Sequence, residues 1–172
     1  IDVNDQPVDI EVETVWSKPF CSLLHFKRDR KALAKARGVK VSEVKDRPVL
    51  IVAPMSGHHA TLLRSTVEAF LPDHEVYITD WVDARKVSVA EGRFDLDDYV
   101  LYVRDMITAL GSNPHVVAVC QPGPPTLAAI ALMAEDKDKA RPTSMTFMGS
   151  PIDARKSPTV PNKLAEERPY EW

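Results

Sequence analysis

Four apolar segments, separated by stretches of helical periodicity, constrain the fold of this chain more than any other feature. Residues 48–53 are continuously apolar, as expected of a strand buried on both faces of a parallel sheet. Residues 75–81, 116–119 and 144–148 predict three further strands. Between them, residues 61–71, 95–110 and 122–135 carry apolar side chains at helical spacing. Strands that alternate with helices predict right-handed βαβ units and a parallel sheet.

An antiparallel hairpin is predicted ahead of this series. Residues 8–15 alternate strictly between apolar and polar, a turn follows at Pro19, and residues 20–26 supply a second strand. A short helix at 31–37, ended by Gly38, links the hairpin to the parallel strands. A hairpin followed by β-α-β-α-β-α-β predicts an α/β fold with the core order of α/β-hydrolases. We assign it to residues 1–155, with 156–172 as a proline-rich loop, lid or frayed end.

Composition excludes several classes of function. The 172 residues are 44% hydrophobic and 27% charged with a net charge of −3, which is ordinary for a globular domain. No apolar run approaches the roughly 20 residues of a membrane span. A basic cluster at 27–40 has no nucleic-acid motif beside it, so a solvated helix face is favoured over nucleic-acid binding. The chain begins with Ile1 rather than Met, and we expect that a segment precedes it.

The two cysteines indicate a reducing compartment. Neither belongs to a CxxC pair, so neither a disulfide framework nor a zinc site is expected, and the cytoplasm fits best. Cys21 lies within a predicted hairpin strand with no helix after it, which favours a packing role. Cys120 follows a buried strand and precedes a helix by about two residues, which is the setting of a nucleophile elbow.

Cys120 is therefore the candidate nucleophile. A strand–turn–helix elbow lifts its side chain above the sheet edge, and the helix N-terminus directs N–H groups at negative charge there, which favours a thiolate. Ala118 and Pro122 stand where the usual G-x-S-x-G pattern has glycines. The alternative is a buried core cysteine that merely ends a strand.

The loop at 53–59 is the candidate oxyanion loop. In α/β-hydrolases the loop after this strand donates one backbone N–H and the residue after the nucleophile donates the other, here Met55 or Ser56 together with Gln121. A plain βα turn is the alternative. His58 and His59 precede the nucleophile in the chain, so a role in lining the pocket is favoured over that of general base.

Two aspartates follow predicted strands. Asp153 comes after the fourth parallel strand and is a candidate triad acid, although the usual acid lies further along and a role in loop hydrogen bonding remains open. Asp80 ends the second parallel strand and is expected to form a cap or turn. No cofactor and no metal are expected for this chemistry.

At these residues the chain resembles the intracellular poly(3-hydroxybutyrate) depolymerases, members of the polyhydroxyalkanoate depolymerase family. The resemblance runs from about residue 3 to residue 155. Its blocks are PVLIVAPMSGHHATLLR at 48–64, DHEVYITDW at 73–81, EGRFDLDDY at 91–99, VCQP at 119–122 and MGSPIDAR at 148–155.

The resemblance implies an α/β-hydrolase related to the polyester synthases. It implies hydrolysis of a stored bacterial polyester at the cytoplasmic granule surface through a cysteine that maps onto Cys120. The family's acid and histidine lie downstream of these blocks, and no histidine follows His115. We therefore expect a central fragment, inactive alone, whose triad partners come from a missing C-terminal segment. A synthase-like acyltransferase and a non-catalytic granule-associated protein are the alternatives, and homo-oligomerisation is left open.

Overall fold

The computed structural model describes residues 1–55, 62–111 and 113–169. The strands are β1 Asp2–Val3, β2 Gln6–Pro7, β3 Ile10–Lys18, β4 Cys21–Arg28, β5 Pro48–Val52, β6 Glu75–Trp81, β7 His115–Val119 and β8 Ser144–Met148. The α-helices are α1 Arg30–Arg37, α2 Arg64–Phe70, α3 Leu96–Ala109, α4 Gly123–Glu135 and α5 Val160–Glu167. Short 3₁₀ turns occupy Val41–Glu43, Ala84–Lys86 and Val89–Glu91.

The main sheet has the predicted combination of antiparallel and parallel strands. Its order among the described residues is β3-β4-β6-β5-β7-β8. Strand β4 pairs antiparallel with both β3 and β6, whereas β5 pairs parallel with β6 and β7, and β7 pairs parallel with β8. Ile51 lies opposite Ile78 on one side and Val117 on the other, so the most apolar strand is in the middle of the parallel part.

The N-terminal end differs from the prediction. Asn4 and Asp5 both have positive φ, of 49° and 59°, which is the geometry of a two-residue type I′ turn. This turn folds β1 onto β2 as a small additional hairpin. Val8 is buried in a separate core with Leu33, and strand β3 therefore begins at Ile10 rather than at residue 8.

Helices α1 and α3 begin at residues whose side chains cap them. The Asp29 carboxylate accepts hydrogen bonds from the first-turn N–H groups of α1, and Gly38 ends that helix with φ of 66°. Asp95 caps α3 in a reciprocal arrangement with Asp98. Helix α2 starts at Arg64, three residues after its predicted start at residue 61, which lies outside the described residues.

The helices cover opposite faces of the sheet. Helices α3 and α4 pack on one face, against Leu50 and Val116 among others. Helix α2 packs on the other face, against Ile51 and Val117. The chain therefore leaves β5 towards one face and leaves its neighbour β7 towards the opposite face. In open α/β sheets such a divergence opens a crevice at the carboxyl ends of the strands, where ligands bind.

The segment after β8 contains a helix, although the sequence predicted a loop, lid or frayed end over 156–172. Thr159 caps α5 and exchanges hydrogen bonds with Asn162, while a proline occupies the first turn. None of the α5 residues is buried. Within the described ranges, the helices are too short or too polar to cross a membrane.

Candidate active site

Cys120 directly follows β7, at the carboxyl end of the strand. Its side chain is exposed, and its backbone is left-handed with φ of 67°. For a residue with a Cβ, that conformation costs roughly 1–3 kcal/mol and persists only where the surroundings impose it. The Cys120 N–H donates a 2.8 Å hydrogen bond to the carbonyl oxygen of Met148 at the end of β8. The strand–turn–helix elbow at Cys120 is sharp and exposed, which excludes a buried core cysteine, and the nucleophilic role of Cys120 stays a prediction.

A close approach between Gly123 and Ser150 shapes the other side of the elbow. A Cβ added at Gly123 would lie 2.4 Å from the Ser150 Cβ and 2.7 Å from its Oγ. The Ser150 hydroxyl donates a 3.3 Å hydrogen bond to the carbonyl oxygen of Ala118 in β7. The loop after β8 thus packs directly on the first turn of α4, and only glycine fits between them.

The sequence predicted that N–H groups of the first turn of α4 face Cys120, but the structure offers few of them. Pro122, Pro124 and Pro125 have no N–H, and the N–H of Gly123 donates to the carbonyl oxygen of Cys120 at 3.2 Å. The Gln121 N–H makes no hydrogen bond with any described residue. Gln121 is therefore the backbone donor that the elbow itself offers to an anion.

Met55 and Gln121, two of the residues predicted for the oxyanion site, are in direct contact. The Met55 N–H donates a 3.0 Å hydrogen bond to Oε1 of the Gln121 side chain. Met55 lies after β5 and Gln121 after β7, so the contact joins the segments that leave two neighbouring strands. Ser56 and His58, the other residues predicted for this loop, lie outside the described residues, as does His59.

Two side chains that the sequence did not single out hold the start of this loop. The buried Thr79 hydroxyl accepts a 2.8 Å hydrogen bond from the Ala53 N–H. The indole N–H of Trp81 donates a 2.9 Å hydrogen bond to the Ala53 carbonyl oxygen. Both anchors belong to β6, and both backbone groups of Ala53 are thereby fixed two residues before Met55. Only the three-dimensional pairing of β5 with β6 reveals them.

Cys21 contrasts with Cys120 in its burial. It is fully buried in the core shared by α3 and α4. Burial, followed by the nearby charge of Asp80, raises the pKa of the Cys21 thiol far above its ordinary value. The neutral thiol is a poor nucleophile, which agrees with the packing role predicted for this residue.

Asp153 is engaged in a local ion pair. Its carboxylate accepts hydrogen bonds from the Arg155 N–H and from the Arg155 guanidinium, at 2.8 Å to Nε and 3.0 Å to Nη2. The guanidinium bond lowers the pKa of the Asp153 carboxyl. The side chain therefore has the loop hydrogen-bonding role that was the alternative to a triad acid, and a triad role stays a prediction.

The described histidines lie away from the elbow. His115 begins β7, at the opposite end of the strand from Cys120, and hydrogen-bonds the Ser144 hydroxyl at 2.7 Å. His25 is held between Glu13 and Glu75 at 3.0 and 3.1 Å. His74 precedes β6 at its amino end. A general base for Cys120 is therefore not found among these three residues.

The sheet order, the diverging helices and the elbow after β7 define the chain as an α/β-hydrolase fold. Solved structures that share this fold include two hydrolases. Naproxen esterase (carboxylesterase NP) from Bacillus subtilis has a TM-score of 0.52 and 14% identity, over 81% of this chain and 43% of that one. The 2-hydroxy-6-oxo-6-phenylhexa-2,4-dienoate hydrolase from Rhodococcus sp. strain RHA1 has a TM-score of 0.52 and 14% identity, over 84% of this chain and 47% of that one.

The chain spans less than half the length of either of these proteins. At 14% identity the likeness concerns the fold. No protein-family model and no curated protein sequence matches this chain.

Proposed function

We propose that Cys120 is the nucleophile of a carboxylic ester hydrolase that acts on polyhydroxyalkanoate, in particular polyhydroxybutyrate, at the surface of cytoplasmic storage granules. The observation that carries the proposal is the exposed, left-handed Cys120 at the carboxyl end of β7. Backbone strain of this kind clusters at functional sites, and open α/β sheets bind ligands at the carboxyl ends of their strands.

The proposed reaction has two steps. The Cys120 thiolate attacks the ester carbonyl carbon, a C–S bond forms, and the N–H groups of Gln121 and Met55 hold the oxyanion. The tetrahedral intermediate collapses, the C–O ester bond breaks with its electron pair, and the released alkoxide takes a proton to leave as an alcohol. Water then attacks the thioester, which frees a hydroxyacid and restores the thiol.

A histidine would assist the second step as general base. All five histidines of the chain precede Cys120, and the three that the structure describes lie away from it. We propose that the histidine and its acid come from a part of the protein outside these 172 residues. This chain alone would then acylate but deacylate slowly, since general-base assistance contributes roughly 10²–10⁴-fold.

The resemblance of the blocks at 48–64, 119–122 and 148–155 to the intracellular poly(3-hydroxybutyrate) depolymerases supports a polyester as substrate. The esterase named among the structural neighbours supports an ester as the reacting group.

Acylation of the chain by p-nitrophenyl butyrate tests the nucleophile. We expect a burst of one p-nitrophenolate per chain, loss of the burst in Cys120→Ala, and retention in Cys21→Ala, the control at the other cysteine. Mass spectrometry should place the butyryl group on Cys120. A burst that survives Cys120→Ala would refute the proposal.

The substrate is tested in the longest natural form of the protein with native polyhydroxybutyrate granules. Release of 3-hydroxybutyrate that depends on Cys120 supports the depolymerase. Release of coenzyme A from hydroxybutyryl-CoA, with polymer growth instead of loss, identifies the synthase-like acyltransferase and contradicts the depolymerase.

A further inference from the structure

The side chain of Gln121 occupies one of the two backbone donors proposed to hold the oxyanion. Its Oε1 accepts the Met55 N–H at 3.0 Å, and this oxygen belongs to a C=O group, the same group that an ester substrate would present. One N–H makes one good hydrogen bond at a time. In this structure the Met55 donor is therefore engaged by the protein itself.

The hydrogen bond of Met55 to Gln121 matters because few other N–H groups near Cys120 are free to bind an oxyanion. The prolines of the first turn of α4 offer no N–H, and the Gly123 N–H is bonded to Cys120. Among the residues that the structure describes here, the Gln121 N–H and the Met55 N–H are thus the two candidate donors. With Met55 engaged, one of the two is blocked.

We propose that the Gln121 carboxamide is a displaceable internal ligand of the oxyanion site, which the substrate oxygen must replace before Cys120 is acylated. This inference rests on the proposed function of Cys120. Gln121 is exposed, so its carboxamide can rotate into water and be hydrated there. A developing oxyanion is a stronger acceptor than a neutral amide oxygen, because hydrogen bonds to charged groups are about twice as strong.

We call the Gln121 carboxamide bound to the Met55 N–H the latch. The latch should slow reactions of Cys120 that pass through an oxyanion and leave other reactions of the thiol unchanged. Acylation by p-nitrophenyl butyrate passes through an oxyanion: the C–S bond forms, negative charge moves onto oxygen, and p-nitrophenolate leaves with the electron pair. Alkylation by iodoacetamide displaces iodide at a saturated carbon and creates no oxyanion. The ratio of the two rate constants at Cys120 therefore isolates the oxyanion site.

Two variants of the 172-residue chain test the latch. Gln121→Met keeps the side-chain length and removes the acceptor oxygen; we expect the acylation-to-alkylation ratio to rise roughly fivefold, the factor that one ordinary hydrogen bond contributes. Gln121→Glu supplies a charged acceptor for Met55; we expect the ratio to fall by at least as much.

A ratio that stays constant or falls in Gln121→Met would overturn the latch and assign Gln121 to holding the loop in place. Hydrogen exchange of the Met55 amide gives an independent reading: the latch requires faster exchange in Gln121→Met than in the parent chain. Failure of the proposed function would give a different result, namely no acylation of Cys120 in the parent chain. A normal burst with an unresponsive ratio removes the latch alone.

Discussion

The indole N–H of Trp81 donates a 2.9 Å hydrogen bond to the carbonyl oxygen of Ala53, and so ties the end of β6 to the loop that carries Met55. Trp81→Phe removes this donor but keeps an aromatic ring next to Tyr99, whose centroid lies 4.5 Å away. We expect acylation of Cys120 by p-nitrophenyl butyrate to slow roughly fivefold, with alkylation unchanged, because one ordinary hydrogen bond positions the loop. Trp16→Phe, whose ring contacts Tyr102, is the control and should leave both rates unchanged. Equal acylation in the two variants would contradict the anchoring role.

Gly123→Ala should destabilise the protein. The new Cβ would lie 2.4 Å from the Ser150 Cβ, and neither backbone can retreat without moving the elbow. Overpacking of this kind costs about 1–3 kcal/mol. Urea unfolding measures the loss, and the Cys120 burst should weaken with it because Cys120 shares the displaced turn.

A second substitution separates this collision from a general intolerance of alanine. Ser150→Gly removes the atoms that the new Cβ would strike, so Gly123→Ala combined with Ser150→Gly should recover stability relative to Gly123→Ala alone. Additive losses in the double variant would show that the contact is not the cause.

The sequence predicted the parallel part of the fold well, because each buried strand is a local apolar run and each helix has local caps. Cys120 could be placed at a strand end for the same reason. The contact of Met55 with Gln121 could not be predicted, since it depends on how two loops leave neighbouring strands. The small β1–β2 hairpin was missed because its strands are only two residues long and carry too little hydrophobic alternation to be recognised. Its turn depends on left-handed conformations at Asn4 and Asp5, which the sequence permits but does not require.

Among the charged residues that the structure describes, we expect substitution of Arg28 to lower the free energy of unfolding most. Its side chain is fully buried and bonds Asp46 and Glu75, each at 2.8 Å, and the Leu71 carbonyl oxygen at 2.9 Å. Arg28→Met removes the buried cation that bonds both carboxylates, although Arg37 still bonds Asp46 and His25 still bonds Glu75. We therefore expect a loss of about 3 kcal/mol in the free energy of unfolding, the lower end of the cost of breaking a buried ion pair. Lys27→Met, at an exposed neighbour, should cost no more than about 1 kcal/mol. Similar losses for the two variants would contradict the structure.

The stability of the protein should vary with pH through His25, which is stacked on Tyr77 at 4.3 Å. Burial opposes the charged imidazole, but hydrogen bonds to Glu75 and Glu13 outweigh it and raise the pKa of His25 above its ordinary 6.5. Burial likewise opposes the Glu75 carboxylate, but His25 and Arg28 outweigh it and lower the pKa of Glu75 below its ordinary 4.5.

The raised pKa of His25 and the lowered pKa of Glu75 affect stability on the alkaline and the acid side respectively. A raised His25 pKa gives stability that is complete below pH 6.5 and is lost as the pH rises through the folded-state value. A lowered Glu75 pKa gives stability that is present above pH 4.5 and is lost as the pH falls through its folded-state value. In urea unfolding, the stability difference between the parent chain and His25→Gln should therefore shrink from pH 6 to pH 9. A constant difference would mean that the imidazole has the same pKa in the folded and the unfolded chain, and a difference that grows with pH would mean that the folded protein holds the imidazole neutral. Either outcome would contradict the ion pairs of His25 with Glu13 and Glu75.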